Sequence, residues 1–219
     1  MLTVVALPLA LLSLQQHGIA QRLAGRVPPV VAARVQELGI AAASRGLPVE
    51  PLIQKAIEGS AKKVPVQRVT AAVRLVMMQL DSAAVALREG GAVTDTVVIA
   101  AGAFAINAGL SGPDVTALAR THVAASALTV GLRVAGTLVA MGVPPAEDIG
   151  LVSAKLRAGE AAADLLALPS DVQAAVSRGA TPAQAAAGLE RGPGGQGRHG
   201  PPPGRGPDNH PPHPSPRHP

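Results

Sequence analysis

Met141-Gly142-Val143-Pro144-Pro145-Ala146-Glu147-Asp148 encodes the end of one helix and the start of the next within a single octapeptide. Gly142 suits the left-handed residue just past a helix end, and Val143 can fold back onto the last turn, as in a Schellman-type stop. Pro144 or Pro145 then opens the next helix, where a missing N–H costs nothing and the fixed φ is already helical. Glu147 and Asp148 fall in that helix's first turn, where the positive end of its dipole favours acids.

Looser copies of this joint recur at Arg45-Gly46-Leu47-Pro48 with Glu50, at Lys63-Val64-Pro65, and at Gly109-Leu110-Ser111-Gly112-Pro113-Asp114, where Ser111 is the expected N-cap. A chain cut at such points is a series of helices. The expected fold is all-α, an irregular helical bundle or weak helical-repeat array over residues 30–190, followed by a disordered Pro/Gly/His-rich C-terminal tail over 191–219. A named solenoid is excluded by the spacing. The joint residues Leu47, Val64, Leu110, Val143 and Ala180 are separated by 17, 46, 33 and 37 residues, with no fixed period and no aromatic signature.

The core of such a protein must be assembled from small side chains. Hydrophobic residues make up 47% of the chain, yet it has one Phe and no Trp or Tyr. Ala, Val and Leu allow helices to approach closely but bury little area each. Cysteine is absent, which removes disulfides, thiolate metal sites and Cys nucleophiles together. The net charge of +5 sits largely in the tail, where Arg191, Arg198, Arg205 and Arg217 face only Asp208. The body is therefore close to neutral, with no basic cluster beyond Lys62-Lys63 and no aromatic platform for base stacking, which argues against a nucleic-acid partner.

Residues 1–20 hold the apolar run Met1 to Leu14, then Gln15-Gln16-His17, then small Gly18 and Ala20. This pattern fits a secretory signal cleaved after Ala20, although no Lys or Arg stands in those residues. The alternative is an ordinary N-terminal apolar helix. A periplasmic or extracellular location follows from the first reading and a cytoplasmic one from the second.

Along the body, helices are expected over Val30 to Ser44, Pro51 to Glu58 with a stop at Gly59, and Pro65 to Glu89. The last is the clearest, with Val66, Val69, Val73, Val76, Leu80, Ala84 and Leu87 spaced three or four apart opposite Gln67, Arg68, Arg74, Asp81 and Arg88. That apolar side reads as a bundle face, or as a coiled-coil or dimer seam. The run GLPVEPLIQKAIEGSAKKVPVQRVTAAVRLV, Gly46 to Val76, resembles a segment of an uncharacterised group of predicted exported, Ala-rich helical bacterial proteins. The resemblance implies a helical, exported protein and no chemistry, since the group has no assigned activity.

Gly90-Gly91 ends the long helix, and Thr94 with Asp95 starts the next. Val115 to Met141 is expected as one long helix carrying His122, with Gly131, Gly136, Ala127 and Ala135 letting a neighbour approach closely. Its stretch Val123 to Val143 holds only Arg133 as a charge, but a central Arg opposes insertion and Ala, Gly and Thr repay little of that cost. A buried helix is the better reading than an integral membrane span. Ala146 to Ala158 and Glu160 to Leu168 follow, and Ser170-Asp171-Val172-Gln173 and Thr181-Pro182-Ala183-Gln184 both match the capping-box pattern.

Chemistry is sparse. No HExxH, G-x-S-x-G, P-loop or EF-hand pattern occurs, and no G-x-G-x-x-G follows a strand; the Gly-rich stretch 192 to 200 leads into prolines and not into a helix. No catalytic residue and no cofactor is implied; an enzyme of unrecognised type would have to draw on Glu147, Asp148, Glu160, Asp164 and His122. The tail residues His199, His210, His213 and His218 are candidate weak ligands for a transition metal, though their spacing is irregular and no carboxylate cluster supports them. The function expected from this pattern is non-enzymatic contact, with a protein partner or by self-association.

Overall fold

A computed structural model describes residues 18–191, and these form ten helices and no strand. Helix α1 covers residues 18–23. It is followed by α2 (Pro29–Ser44), α3 (Glu50–Ala61), α4 (Val66–Glu89), α5 (Thr96–Ala108), α6 (Gly112–Ala119), α7 (Ala125–Ala140), α8 (Pro145–Arg157), α9 (Ala162–Ser177) and α10 (Pro182–Arg191). The tail with its four histidines, and the apolar run before Gly18, lie outside the described residues.

The joints work as their chemistry requires. At the octapeptide, the Val143 N–H donates to the Leu138 carbonyl at 3.0 Å and the Gly142 N–H to the Val139 carbonyl at 2.9 Å, the two bonds of a Schellman stop. Gly142 takes φ 91°, which a side chain would resist, while Val143 is buried under the turn. Helix α8 then begins at Pro145 with Glu147 and Asp148 in its first turn. The same pair of backbone bonds closes α2, α3, α4, α5, α8 and α9, at Leu47, Val64, Ala92, Leu110, Glu160 and Ala180. Ser111 and Asp114 form a reciprocal capping box on α6, and Thr181 with Gln184 does so on α10. Asp95, rather than Thr94, caps α5 by accepting from Val97 and Val98.

Packing follows chain order. Helix α4 lies against α2, α3, α5 and α6; α7 lies against α5, α6, α8 and α9; and α8, α9 and α10 complete the far end, with α10 resting on α8 and α9. One continuous core runs through the array, filled by Leu52, Ile53, Leu80, Leu87, Leu118, Leu128, Leu132, Leu138, Leu151 and Leu165. The expected close approaches occur where glycines permit them. A methyl on Gly131 would meet Leu156 Cδ1 at 2.8 Å, and one on Gly136 would meet Phe104 Cε1 at 2.8 Å and the Ala105 Cα at 3.0 Å.

Three boundaries differ from the sequence expectation. Gly59 does not stop α3; it sits inside the helix because Val69 packs against it, with a would-be methyl 2.9 Å from Val69 Cγ2, and the left-handed stop falls on Lys63 at φ 54°. The expected helix from Val115 to Met141 is two, α6 and α7, separated by Arg120 to Ala124, so His122 is not helical but left-handed at φ 54°. The helix over Glu160 to Leu168 does not end there. Helix α9 runs through Pro169 to Ser177, and the Ser170 hydroxyl donates back to the Ala167 carbonyl at 2.6 Å instead of capping a new helix. Of the two readings of the Pro65-to-Glu89 apolar side, the bundle face holds, since Val69, Val73, Leu80, Ala84 and Leu87 are buried and α4 packs on the neighbouring helices.

Among the described residues, α4 is the one helix long and apolar enough to cross a bilayer. Its buried side serves the core, and Arg68, Arg74 and Arg88 are exposed on it. The stretch Val123 to Val143 spans the shorter α7, where Arg133 is exposed and Gly131, Leu132, Val134, Ala135 and Gly136 are buried against protein.

Candidate functional site

The polar groups singled out from the sequence do not converge. His122 is exposed on the turn between α6 and α7, its ring edge facing Gly91, where an added methyl would lie 3.4 Å from His122 Cε1. Glu160 accepts from Lys155 at 2.8 Å. Asp164 is exposed on α9, and Glu147 is half-buried on α8. Among the described residues no group of three or more His, Asp or Glu is placed to hold a metal ion.

Asp148 is different from the others. It is 0% exposed, and neither carboxylate oxygen has a hydrogen-bond partner. Position and sequence explain how it came to be there. Asp148, Leu151, Val152 and Leu156 fall on one side of α8 at three- and four-residue spacing, and all four are buried. An acid thus occupies a core position at the contact of α8 with α6 and α7. Burial, reinforced by the Asp114 carboxylate of the α6 capping box, pushes its carboxyl up to about 8. Removing a carboxylate from water without a partner disfavours the charged form more than the positive end of the α8 dipole favours it. At neutral pH Asp148 therefore carries its proton.

Among the shallow clefts of the described residues, two bear on the polar groups. One, of about 350 Å³, is lined by Asp81, Ser82, Val85, Ala86, Gly112 and Pro113, between α4 and the start of α6. The other, of about 360 Å³, is lined by Ala43, Leu47, Pro48, Val49, Glu50 and Thr96. Arg22 and Gln54 donate to Glu50 and hold its carboxyl below the usual range. In the first cleft, Ser82 shares the lining with Asp81, which is paired with Arg45 at 2.8 Å, and with Glu89, and no hydrogen bond joins Ser82 to either acid.

No family model, curated protein or solved structure matches the chain. The reading of the site therefore rests on its own residues. Asp114 lies near enough to act on Asp148 through its charge, but no hydrogen bond joins them, and general acid–base work needs a partner within hydrogen-bond reach. The sequence carried a signal for the buried acid, since Asp148 stands in register with Leu151 and Val152. It also carries the opposite signal, a first-turn acid such as a solvated helix end favours.

The surface of α4 is the other feature. Leu75, Met78 and Val85 are 52%, 64% and 46% exposed, and with Ser82 they follow a three–four spacing along one side of the helix, distinct from its buried side. That stripe runs into the first cleft, which Ser82 and Val85 help to line.

Proposed function

We propose that the protein is non-enzymatic and acts by contact, through the exposed apolar stripe of α4. The observation that carries this is Leu75, Met78 and Val85 standing in water at helical spacing, beside the cleft that α4 forms with Gly112 and Pro113. Large apolar side chains in a row are costly to leave exposed, and a three–four spacing is the pattern by which one helix receives another. From Leu75 to Val85 the stripe covers about 15 Å of α4, room for about three turns of a partner helix.

Sedimentation velocity of the full-length protein tests self-association. A dimer lost in Leu75→Lys and Met78→Lys supports a second copy as the partner. If the protein is a monomer throughout, a photo-crosslinker placed at Met78 in cells reads contact with another protein, and no crosslinked product there overturns the proposal.

The apolar residues before Gly18 and the resemblance of Gly46 to Val76 to exported helical proteins support an exported location for this contact. The structure adds a consequence. Ala20 lies inside α1, and Ile19 beside it is buried against Gly39, so cleavage after Ala20 would take Ile19 out of the core. Intact-mass measurement on fractionated cells decides the matter, because a cytosolic protein beginning at Met1 overturns the exported reading.

A further inference from the structure

The principal contacts divide at one seam. Helices α8, α9 and α10 pack on one another through α10, and they reach the rest of the array through α8 on α6 and through α8 and α9 on α7. Asp148 stands in the first turn of α8 at this seam, fully buried, with neither oxygen bonded.

The charged groups around it offer no relief. From α6 the facing group is Asp114, itself an acid, held in place by the Ser111 N–H at 2.8 Å and the Ser111 hydroxyl at 2.6 Å. Helix α7 carries Arg133 as its one charged residue, and that side chain is exposed. Helix α10 carries Glu190, whose carboxylate lies beside Gly150, and exposed Arg191. On α8 itself Glu147 is half-buried, Lys155 is bound to Glu160, and Arg157 is exposed.

We propose that Asp148 is the latch of an alkali-sensitive seam: while its carboxyl is protonated, the three C-terminal helices stay docked on α6 and α7, and loss of that proton parts them. A neutral carboxyl leaves only an unmade hydrogen bond in the core, whereas a carboxylate would be a bare charge facing a second acid. The charge regains water most directly by swinging the first turn of α8 outward. The chain already has a pivot at that place, since Gly142 and Val143 form the joint between α7 and α8 and Gly142 is exposed. Opening there leaves α2 to α5 untouched, because none of their principal contacts is with α8, α9 or α10.

Hydrogen exchange of the full-length protein, compared with Asp148→Asn at each pH from 5 to 9, tests this, since intrinsic exchange chemistry cancels between the two. The two proteins should differ least near pH 5. From there to about pH 8 the amides of α8 to α10 in the unaltered protein should exchange faster than in the variant by a ratio that grows about tenfold per pH unit and levels off above pH 8, and at each pH they should exchange well before those of α2 to α5. Asp148→Ser provides a second neutral variant should Asn fail to fold, and it should behave as Asn does. A ratio that stays constant with pH overturns the latch. So does equal protection of α8 to α10 and α2 to α5 at every pH, which would mean unfolding of the whole molecule and no parting of the seam.

Discussion

Gly90, at the close of α4, lies so near Ala119, at the close of α6, that a methyl on Gly90 would overlap the Ala119 Cβ and stand 2.9 Å from the Thr116 carbonyl oxygen. Thr116 completes the contact by donating its hydroxyl to the Ala86 carbonyl at 3.1 Å. The two helix ends are thus joined backbone to backbone. In a core of alanines and leucines this kind of approach replaces the area that aromatic side chains would bury.

Gly90→Ala should therefore destabilise the protein by about 2 to 3 kcal/mol, the upper part of the range for overpacking, because a carbonyl and a Cα must move and not merely a side-chain tip. Gly188→Ala is the contrast. Gly188 is exposed within α10 with nothing within 4 Å of the added methyl, so it should gain about 0.5 to 1 kcal/mol from lowered chain entropy. Urea denaturation of both variants reads the two signs against each other.

The Asp148 carboxyl sets a pH dependence of global stability with a definite sign. Its acidity is weakened from an ordinary 3.8 to about 8 by burial and then by Asp114, so the folded chain holds one proton more than the unfolded chain between those values. Stability is complete below the unfolded value, falls as pH rises through the interval by about 1.4 kcal/mol per pH unit, and levels off above the folded value. Asp148→Asn should remove this slope and be the more stable protein at pH 7 by a few kcal/mol. Urea midpoints for both proteins at pH 5, 6.5 and 8 check it, and parallel curves would count against a buried acid.

Much of the fold could be read because its joints are local. Gly142 with Val143 and Gly46 with Leu47 encode their stops within six residues, and Ser111 with Asp114 encodes a start within four. Where the reading went astray, the deciding contact was distant or the residue unusual. Gly59 looked like a stop and is instead the seat of Val69 from the next helix. Asp148 looked like a dipole-compensating surface acid; only the packing of α6 and α7 over α8 makes it a core residue. No sequence pattern told of the exposed stripe on α4, since Leu75 and Met78 are apolar whether buried or not.

His122 and Lys63 are the two non-glycine residues among the described ones with positive φ, each at 54°. An L side chain in this region costs about 1 kcal/mol or more. His122→Gly and Lys63→Gly should each be neutral or stabilising by up to about 1 kcal/mol, the relieved strain being partly offset by the greater freedom of glycine in the unfolded chain. Gly142→Ala should do the reverse and cost about 1 to 2 kcal/mol, since φ 91° must be kept for the Val143 N–H to reach Leu138. Thermal unfolding followed by circular dichroism at 222 nm separates the two directions.

Pro169 accounts for the break that the sequence suggested within α9. The helix passes through it, but a proline has no N–H to give, so the Leu165 carbonyl loses its usual donor four residues on and the ring crowds that turn. Leu165, Leu168 and Val172 are buried around it, so tertiary packing holds together a helix that its own sequence would divide. Pro169→Ala should restore the missing bond and raise stability by about 1 to 3 kcal/mol, with amide exchange in α9 slowed more than in α10. A loss of stability would show instead that the proline is needed to lay Leu165 and Val172 in the core together.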